Sequence, residues 1–323
     1  MTHSYSVAIR TLGTSGWMYH RLIETINRQT IPPEGIFVYL AEGYQPPERV
    51  KDEIIVRCPK GMVAQRSLDF KEIHSEYILF CDDDIELEED AVAKLFSGLE
   101  SHHGDCISAN MYPNHLWSGK EKLVHALLYG ELPSYRGKYA FTVRKSSFYS
   151  YAARPEEVME TQSFAGGCYL ARKQAVLSIH FKDEIWLDTY RYALGDDQLF
   201  SYKLFLSGFK NLVHYNSGIT HLDAQTGHYR DLRQSDRDSR TIRYIIWYRS
   251  IYEPSSTGRR VQSVIAFYGN WMFQFLLSII GCLFGKSTFK PSNAIHALRD
   301  ARRWIKSKAY VNYTEWSTLL KSC

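Results

Sequence analysis

Residues 77 to 84, Tyr-Ile-Leu-Phe-Cys-Asp-Asp-Asp, constrain this chain more than any other stretch. The apolar run Tyr77 to Cys81 is short and mixes aromatic with aliphatic side chains, the pattern of a strand buried in a parallel sheet. It stops abruptly at Asp82, Asp83 and Asp84. In open α/β sheets, ligands bind beyond the carboxyl ends of such strands. Three adjacent carboxylates repel one another unless something positive joins them. Hard oxygen ligands suit a divalent metal, Mg2+ or Mn2+, escorting a diphosphate. A plainer reading stands beside this one: the acidic run through Asp90 caps and charges a helix start.

The flanking sequence decides the fold class. Ser6 to Leu12 reads as a strand, and Trp17 to Gln29 as a helix with Met18, Leu22, Ile23 and Ile26 on one face. Strands follow at Ile36 to Leu40, Ile54 to Val56 and Cys106 to Met111, with helices at Met62 to His74 and Asp90 to Glu100. This alternation predicts a mixed, mostly parallel α/β sheet flanked by helices. Pro113 to Met159, rich in Tyr, Arg and Lys, reads as an insertion of helix and loops over the sheet edge. Ser163 to Arg172 returns to strand, Gly195 to Gly208 is helical, and Asn211 to Thr220 reads as one more strand.

A second acidic pair, Asp196-Asp197, opens the helix at Gly195. Capping explains Asp196 well and Asp197 less well. A carboxylate at a helix N-terminus stays ionised, which suits a general base whose proton transfer coincides with bond formation. Downstream, His221 follows a strand and is a candidate third metal ligand with Asp82 and Asp84.

These segments together resemble a family 2 glycosyltransferase, an inverting enzyme of the GT-A (Rossmann-like) fold, over roughly residues 4 to 225. Val7 to Thr11 and Phe37 to Glu42 resemble the family's first two strands, and Lys60 to Arg66 the segment after its third. Asp82-Asp83-Asp84 is similar to the DXD motif, Ser163 to Arg172 to the acceptor-side strand, and Gly195-Asp196-Asp197 stands where Glu-Asp is usual. The resemblance implies that Thr11, Glu42 and Arg66 surround the nucleotide base and ribose. It implies that Asp82 and Asp83 lie on the donor, with Asp82 touching ribose or metal, and that Asp84 coordinates the metal. Asp197 would be the catalytic base. Gly166, Gly167 and Asp196 would lie on the acceptor and sugar side, the glycines admitting close backbone approach, although a strand bulge explains them equally. The family has Asp where this chain has Glu42, and Glu where it has Asp196. The implied partners are a nucleotide-sugar donor and a surface-glycan or lipid-linked acceptor, as in polysaccharide biosynthesis.

Bulk properties narrow the field. With 45% hydrophobic and 23% charged residues over 323 positions, the chain can bury a sizeable core. A net charge of +4 is too small to argue for nucleic acid. Its six Cys form neither a CxxC pair nor a His/Cys ligand spacing, which argues against zinc and against a disulfide framework. The N-terminus lacks the charged-then-apolar pattern of a secretion signal, so a cytoplasmic active site is expected.

The character changes in the last third, which divides the chain into residues 1–228 and a helical region 229–323. Arg230, Arg233, Arg237, Arg240 and Arg243 recur at helical spacing, as a salt-bridged face or a phosphate contact. Val264 to Phe284 is apolar except for a stripe of Ser263, Ala266, Asn270, Gln274, Ser278 and Gly281, with a break at Tyr268-Gly269-Asn270-Trp271. It reads as a helix lying in a membrane interface, a span or hairpin, or a soluble packing or oligomer surface. Basic residues from Lys286 to Lys308 suit the cytoplasmic membrane face.

Two rival functions remain. A sugar nucleotidyltransferase would need a basic, Gly-rich loop after the first strand, and Gly13-Thr14-Ser15-Gly16 has no nearby Lys. A non-catalytic glycan-binding scaffold would not need the acidic motifs.

Overall fold

A computed structural model describes residues 4–111, 120, 123, 138–152, 156–191, 193–222, 231–284 and 290–311. In chain order the strands are β1 (Tyr5–Thr11), β2 (Ile36–Ala41), β3 (Ile54–Cys58), β4 (Tyr77–Asp82), β5 (Ile85–Leu87), β6 (Cys106–Ala109), β7 (Phe141–Val143), β8 (Tyr149–Tyr151), β9 (Val158–Thr161), β10 (Cys168–Arg172), β11 (Asn211–His214) and β12 (Ile219–His221). The helices are α1 (Trp17–Asn27), α2 (Met62–Arg66), α3 (Ala91–His102), α4 (Lys173–Ser178), α5 (Asp196–Leu206), α6 (Leu232–Trp247), α7 (Thr257–Leu283), α8 (Pro291–Ile305) and α9 (Lys308–Val311). A 3-10 helix covers Phe181–Thr189, and a π-helical turn, Tyr248–Tyr252, continues α6.

Eight strands form the central sheet in the order β3-β2-β1-β4-β10-β6-β11-β9. All run in one direction except β10 and β9, which are antiparallel to their neighbours. The chain therefore adopts the expected class, a mostly parallel sheet flanked by helices. Strands β1, β2 and β4 are buried nearly throughout because both sheet faces are covered. On one face, Leu22, Ile23 and Ile26 of α1 and Val92 and Leu95 of α3 pack with Val7, Ile9 and Leu79. Each such side chain contributes about 1.5–3 kcal/mol on full burial. The other face carries an aromatic ladder: Phe70 meets Phe80 edge-on at 5.2 Å, and Phe80 stacks on Tyr169 at 4.7 Å.

Four expectations need correction. The helix from Met62 ends at Arg66 rather than His74: Phe70 takes φ 47°, and Phe70 and Ile73 are buried in the aromatic face. Asn211 to Thr220 is two strands in different sheets, since β11 joins the central sheet whereas β12 pairs with β5. The insertion supplies the start of an edge strand of the central sheet, β9, and the hairpin β7–β8; most of 112–137 lies outside the described residues. Asp82 to Asp84 cap no helix, because β5 follows them and α3 starts only at Ala91.

The C-terminal helices pack into the same core as the sheet domain, with Ile242, Ile245, Trp247, Phe267 and Ala301 in one cluster with Phe200 and Leu204. Two arginines of α6 are salt-bridged: Arg237 pairs with Asp300, and Arg240 with Asp236 at 2.8 Å. Helix α7 runs unbroken through Gly269, against the expected break, because Asn270 is buried and accepts a bond from Gln274 Nε2 at 2.9 Å. Its inward face holds Ser263, Phe267, Asn270 and Ser278, whereas Ile265, Met272, Leu276, Ile280 and Leu283 are exposed. Among the described residues, α7 alone is long and apolar enough to cross a membrane by length and composition.

Candidate active site

The carboxyl end of β4 is built by strand register. Arg10 on β1 stands opposite Asp82 on β4, so their side chains share a face and form an ion pair. The next residue on β1, Thr11, donates its hydroxyl to Asp83 and accepts a bond from Gly13 N at 2.7 Å. Asp84 begins the excursion into β5. Because β12 pairs with β5, His221 lies beside Ile85, and its Nε2 is 3.4 Å from Asp84 Oδ1. The backbone tightens this junction, with Leu222 N donating to Asp84 O at 2.8 Å.

The second acidic pair arrives from α5. Gly195, at φ 103°, is the residue before the helix, and no side chain caps it there. Asp196 and Asp197 instead face Arg66: Asp197 is ion-paired with its guanidinium, and Asp196 Oδ2 lies 3.4 Å away. Arg66 is fully enclosed, with the Tyr169 and Phe200 rings 5.9 and 5.4 Å from its guanidinium carbon. Its helix is fixed by Asp188, whose carboxylate accepts from Val63 N at 3.0 Å and Ala64 N at 2.9 Å. A Cβ at Gly61 would overlap that carboxylate, so only glycine admits the cap.

Gly166 and Gly167 join the two acidic clusters. A Cβ on Gly166 would overlap Asp197 and Arg66, and one on Gly167 would lie 3.5 Å from Asp82 Oδ2. Gly167 O also accepts a bond from Asp82 N at 2.8 Å. The expected juxtaposition of 82–84 with 196–197 is thus present, with the bare backbone of two glycines between them.

Electrostatics separate the carboxylates. Burial pushes Asp82 above the usual carboxylate range; Asp197 and Asp84 push the same way, against Arg10 and Arg66. Burial also raises Asp83, opposed by hydrogen bonds from Thr11 and Ser15. Burial and the neighbouring Asp197 charge push Asp196 up to about 7. For Asp197 burial acts upward too, but Arg66 and Arg10 together outweigh it and hold the group below its ordinary value. One member of the adjacent pair therefore stays ionised at neutral pH while the other holds a proton far more readily.

Several expected roles change with this geometry. Arg66 does not line a nucleotide site, because its enclosure leaves it reaching only Asp196, Asp197 and the rings around it. Asp82 is ion-paired with Arg10 through its Oδ1. Glu42 is exposed at the end of β2, with β1 separating its strand from β4. Among the described residues no group of three or more His, Cys, Asp or Glu side chains is placed to hold a metal; Asp84 and His221 are a pair. Residues 223–230 lie outside the description. Sequence reading missed Arg10 and Asp188. A cation near the end of an apolar strand was the visible sign of Arg10; nothing local marks Asp188.

No protein-family model matches the chain, and no curated protein matches it significantly. A search of solved structures finds a crystal structure of GalNAc-T7 with UDP, GalNAc and Mn2+, at 14% identity and a TM-score of 0.47. The alignment covers 80% of this chain and 51% of that one, so this chain spans about half the length of the protein it matches. A likeness this distant assigns no activity.

Proposed function

We propose that this protein is a GT-A glycosyltransferase that moves a sugar from a nucleotide-diphosphate donor to an acceptor hydroxyl with inversion. One observation carries the reading: two acidic clusters more than a hundred residues apart in sequence meet at the carboxyl edge of the sheet, around the Gly166–Gly167 backbone.

The roles follow from the environments. Asp84 and His221 would hold a divalent metal, since such ions often take only one or two carboxylate-type protein ligands and complete their shell with phosphates and water. When bound, the ion neutralises charge on the departing diphosphate. Asp197, kept ionised by Arg66, accepts the acceptor's proton as the acceptor oxygen bonds to the anomeric carbon and the diphosphate oxygen leaves. One base suffices for a single displacement, unlike the paired carboxyl groups of glycoside hydrolysis. Arg66 and Arg10 are positioning residues that fix Asp197 and Asp82. Gly166 and Gly167 let Asp197, Arg66 and Met111 pack directly against the backbone, and Thr11 with Asp83 borders the donor side.

Helix α7 supports a location. Its polar side faces the protein and its apolar side faces out, so the enzyme would lie on the cytoplasmic membrane face with α7 in the interface. Exposed Arg302 and Arg303 on α8 suit an anionic leaflet. The acceptor is then a surface glycan or lipid-linked sugar made at that face.

Thermal-shift titration with nucleoside diphosphates, with and without Mn2+, tests the donor site. At least one should stabilise the protein only with metal, and Asp84→Ala should abolish that shift. Equal stabilisation with and without metal would contradict the reading.

A further inference from the structure

Two helices must be held in register for Asp197 to meet Arg66, and both lean on the 3-10 helix Phe181–Thr189. Helix α2 has only 5 residues, Met62–Arg66, too few to persist without outside support. The residue before it is Gly61, which offers no side chain to its first N–H groups. Asp188 of the 3-10 helix supplies both bonds instead, with Oδ1 3.0 Å from Val63 N and Oδ2 2.9 Å from Ala64 N. Arg66 is the last residue of the same short helix, so a shift at Val63 carries its guanidinium along.

Helix α5, which opens with Asp196 and Asp197, is tied to that 3-10 helix as well. Its Lys203 lies 3.3 Å from Glu184 Oε1 and donates to His180 O at 3.2 Å. Glu184 is wholly buried. Its other oxygen accepts from Trp186 Nε1 at 2.7 Å and from Arg249 Nη1, in the π-helical turn after α6, at 2.7 Å. A buried carboxylate bonded this fully is costly to displace, because each partner moved away leaves a charge stranded. Trp186 also packs against Trp304 of α8, with ring centroids 4.8 Å apart. The 3-10 helix thus grips α5 through Glu184 and α2 through Asp188, and it sets how Arg66 and Asp197 meet.

We propose that Asp188 is a positioning residue for the base: through α2 it places Arg66, and through Arg66 it fixes the carboxylate of Asp197. Supporting contacts of this kind hold a reacting group to within about 0.5 Å of its productive geometry. The proposal rests on the transferase reading above, and the test separates the two. The plainer role, a helix cap that only stabilises the fold, has a matched control. Asp231 caps α6 in the same manner, accepting from Arg233 N at 3.0 Å and Gln234 N at 3.2 Å, on a helix that carries none of the cleft residues.

Urea denaturation of the full-length protein compares Asp188→Ala, Asp197→Asn and the double variant. Once Asp197 is uncharged, Arg66 has less to lose when α2 shifts. The double variant's midpoint should therefore fall by clearly less than the sum of the two single shifts, whereas Asp231→Ala and Asp197→Asn should add. Release of nucleoside diphosphate is then followed from UDP-glucose, UDP-galactose, UDP-N-acetylglucosamine and GDP-mannose with Mn2+, water serving as acceptor. In Asp188→Ala the donor KM should stay as in the unmodified protein while kcat falls by about 10- to 100-fold. Asp188→Asn, which keeps one acceptor oxygen, should lose less, and Asp231→Ala should keep its kcat. Additive midpoints for Asp188→Ala with Asp197→Asn, or a kcat that Asp188→Ala leaves unchanged, would overturn the positioning role. Coupled midpoints in a protein that neither turns over a nucleotide sugar nor binds nucleotide with metal would keep the link from Asp188 to Asp197 and overturn the transferase reading.

Discussion

The acidic cleft and helix α7 break the same rule in opposite directions. At the cleft the protein buries charge: Arg66 is fully enclosed, Asp196 and Asp84 nearly so. Along α7 it turns Ser263, Asn270 and Ser278 inward and leaves Ile265, Leu276, Ile280 and Leu283 between 49 and 78% exposed. Buried charge is tolerated only when paired, and the cleft's arginines do that pairing within the fold. Nothing within the described fold covers the apolar side of α7. The contrast is between a cleft whose charges are paired within the fold and a helix whose apolar side has no cover among the described residues.

If a bilayer covers that side, replacing Ile265, Leu276 and Ile280 with Ser removes about 5 kcal/mol of apolar transfer energy. Vesicle flotation should then shift the protein from the membrane fraction to the soluble fraction, with its fold retained by circular dichroism. Unchanged flotation would leave the two regions without the proposed difference.

Removing the cleft's internal pairing should have the next largest effect, on the fold itself. Arg66→Met strands Asp196 and Asp197, and breaking a buried ion pair from one side costs about 3–5 kcal/mol. Urea denaturation checks this, and a loss below about 1 kcal/mol would show the pairing to be dispensable. His221→Ala should act more gently, weakening Mn2+-dependent nucleotide binding about tenfold while leaving the urea midpoint in place.

A further effect is a slope. The Asp196 carboxyl binds its proton more tightly in the folded chain, at about 7 against the ordinary 3.8. Its contribution to stability is therefore complete below the ordinary value and is lost as pH rises through about 7. Asp196→Asn should flatten the denaturation midpoint between pH 4 and 7 relative to the unmodified protein. An identical slope in both would show that Asp196 does not titrate in that window.

Much of this contrast was legible in the sequence because it is local. An apolar run ending in Asp82, the Asp196-Asp197 pair opening a helix and the polar stripe on α7 are each written within a few turns of chain. What stayed hidden depends on partners distant in sequence. Arg10 meets Asp82 through strand register, and Asp188 caps α2 from the 3-10 helix. The stop at Arg66 is equally nonlocal: the sequence onward to His74 has helical spacing, but packing of Phe70 against Tyr39 and Phe80 overrides it. The division of Asn211 to Thr220 into β11 and β12 follows from β5, which the acidic run had concealed as a helix start.

The most direct test of the shared cleft is the Asp197→Asn variant, assayed for both nucleotide-sugar binding and transfer. Loss of a general base lowers rate by about 10^2 to 10^4. The variant should bind donor with Mn2+ as the unmodified protein does, yet lose transfer by at least about a hundredfold. Transfer at the unmodified rate would contradict the account, because Asp197 would then face the donor without acting on the acceptor.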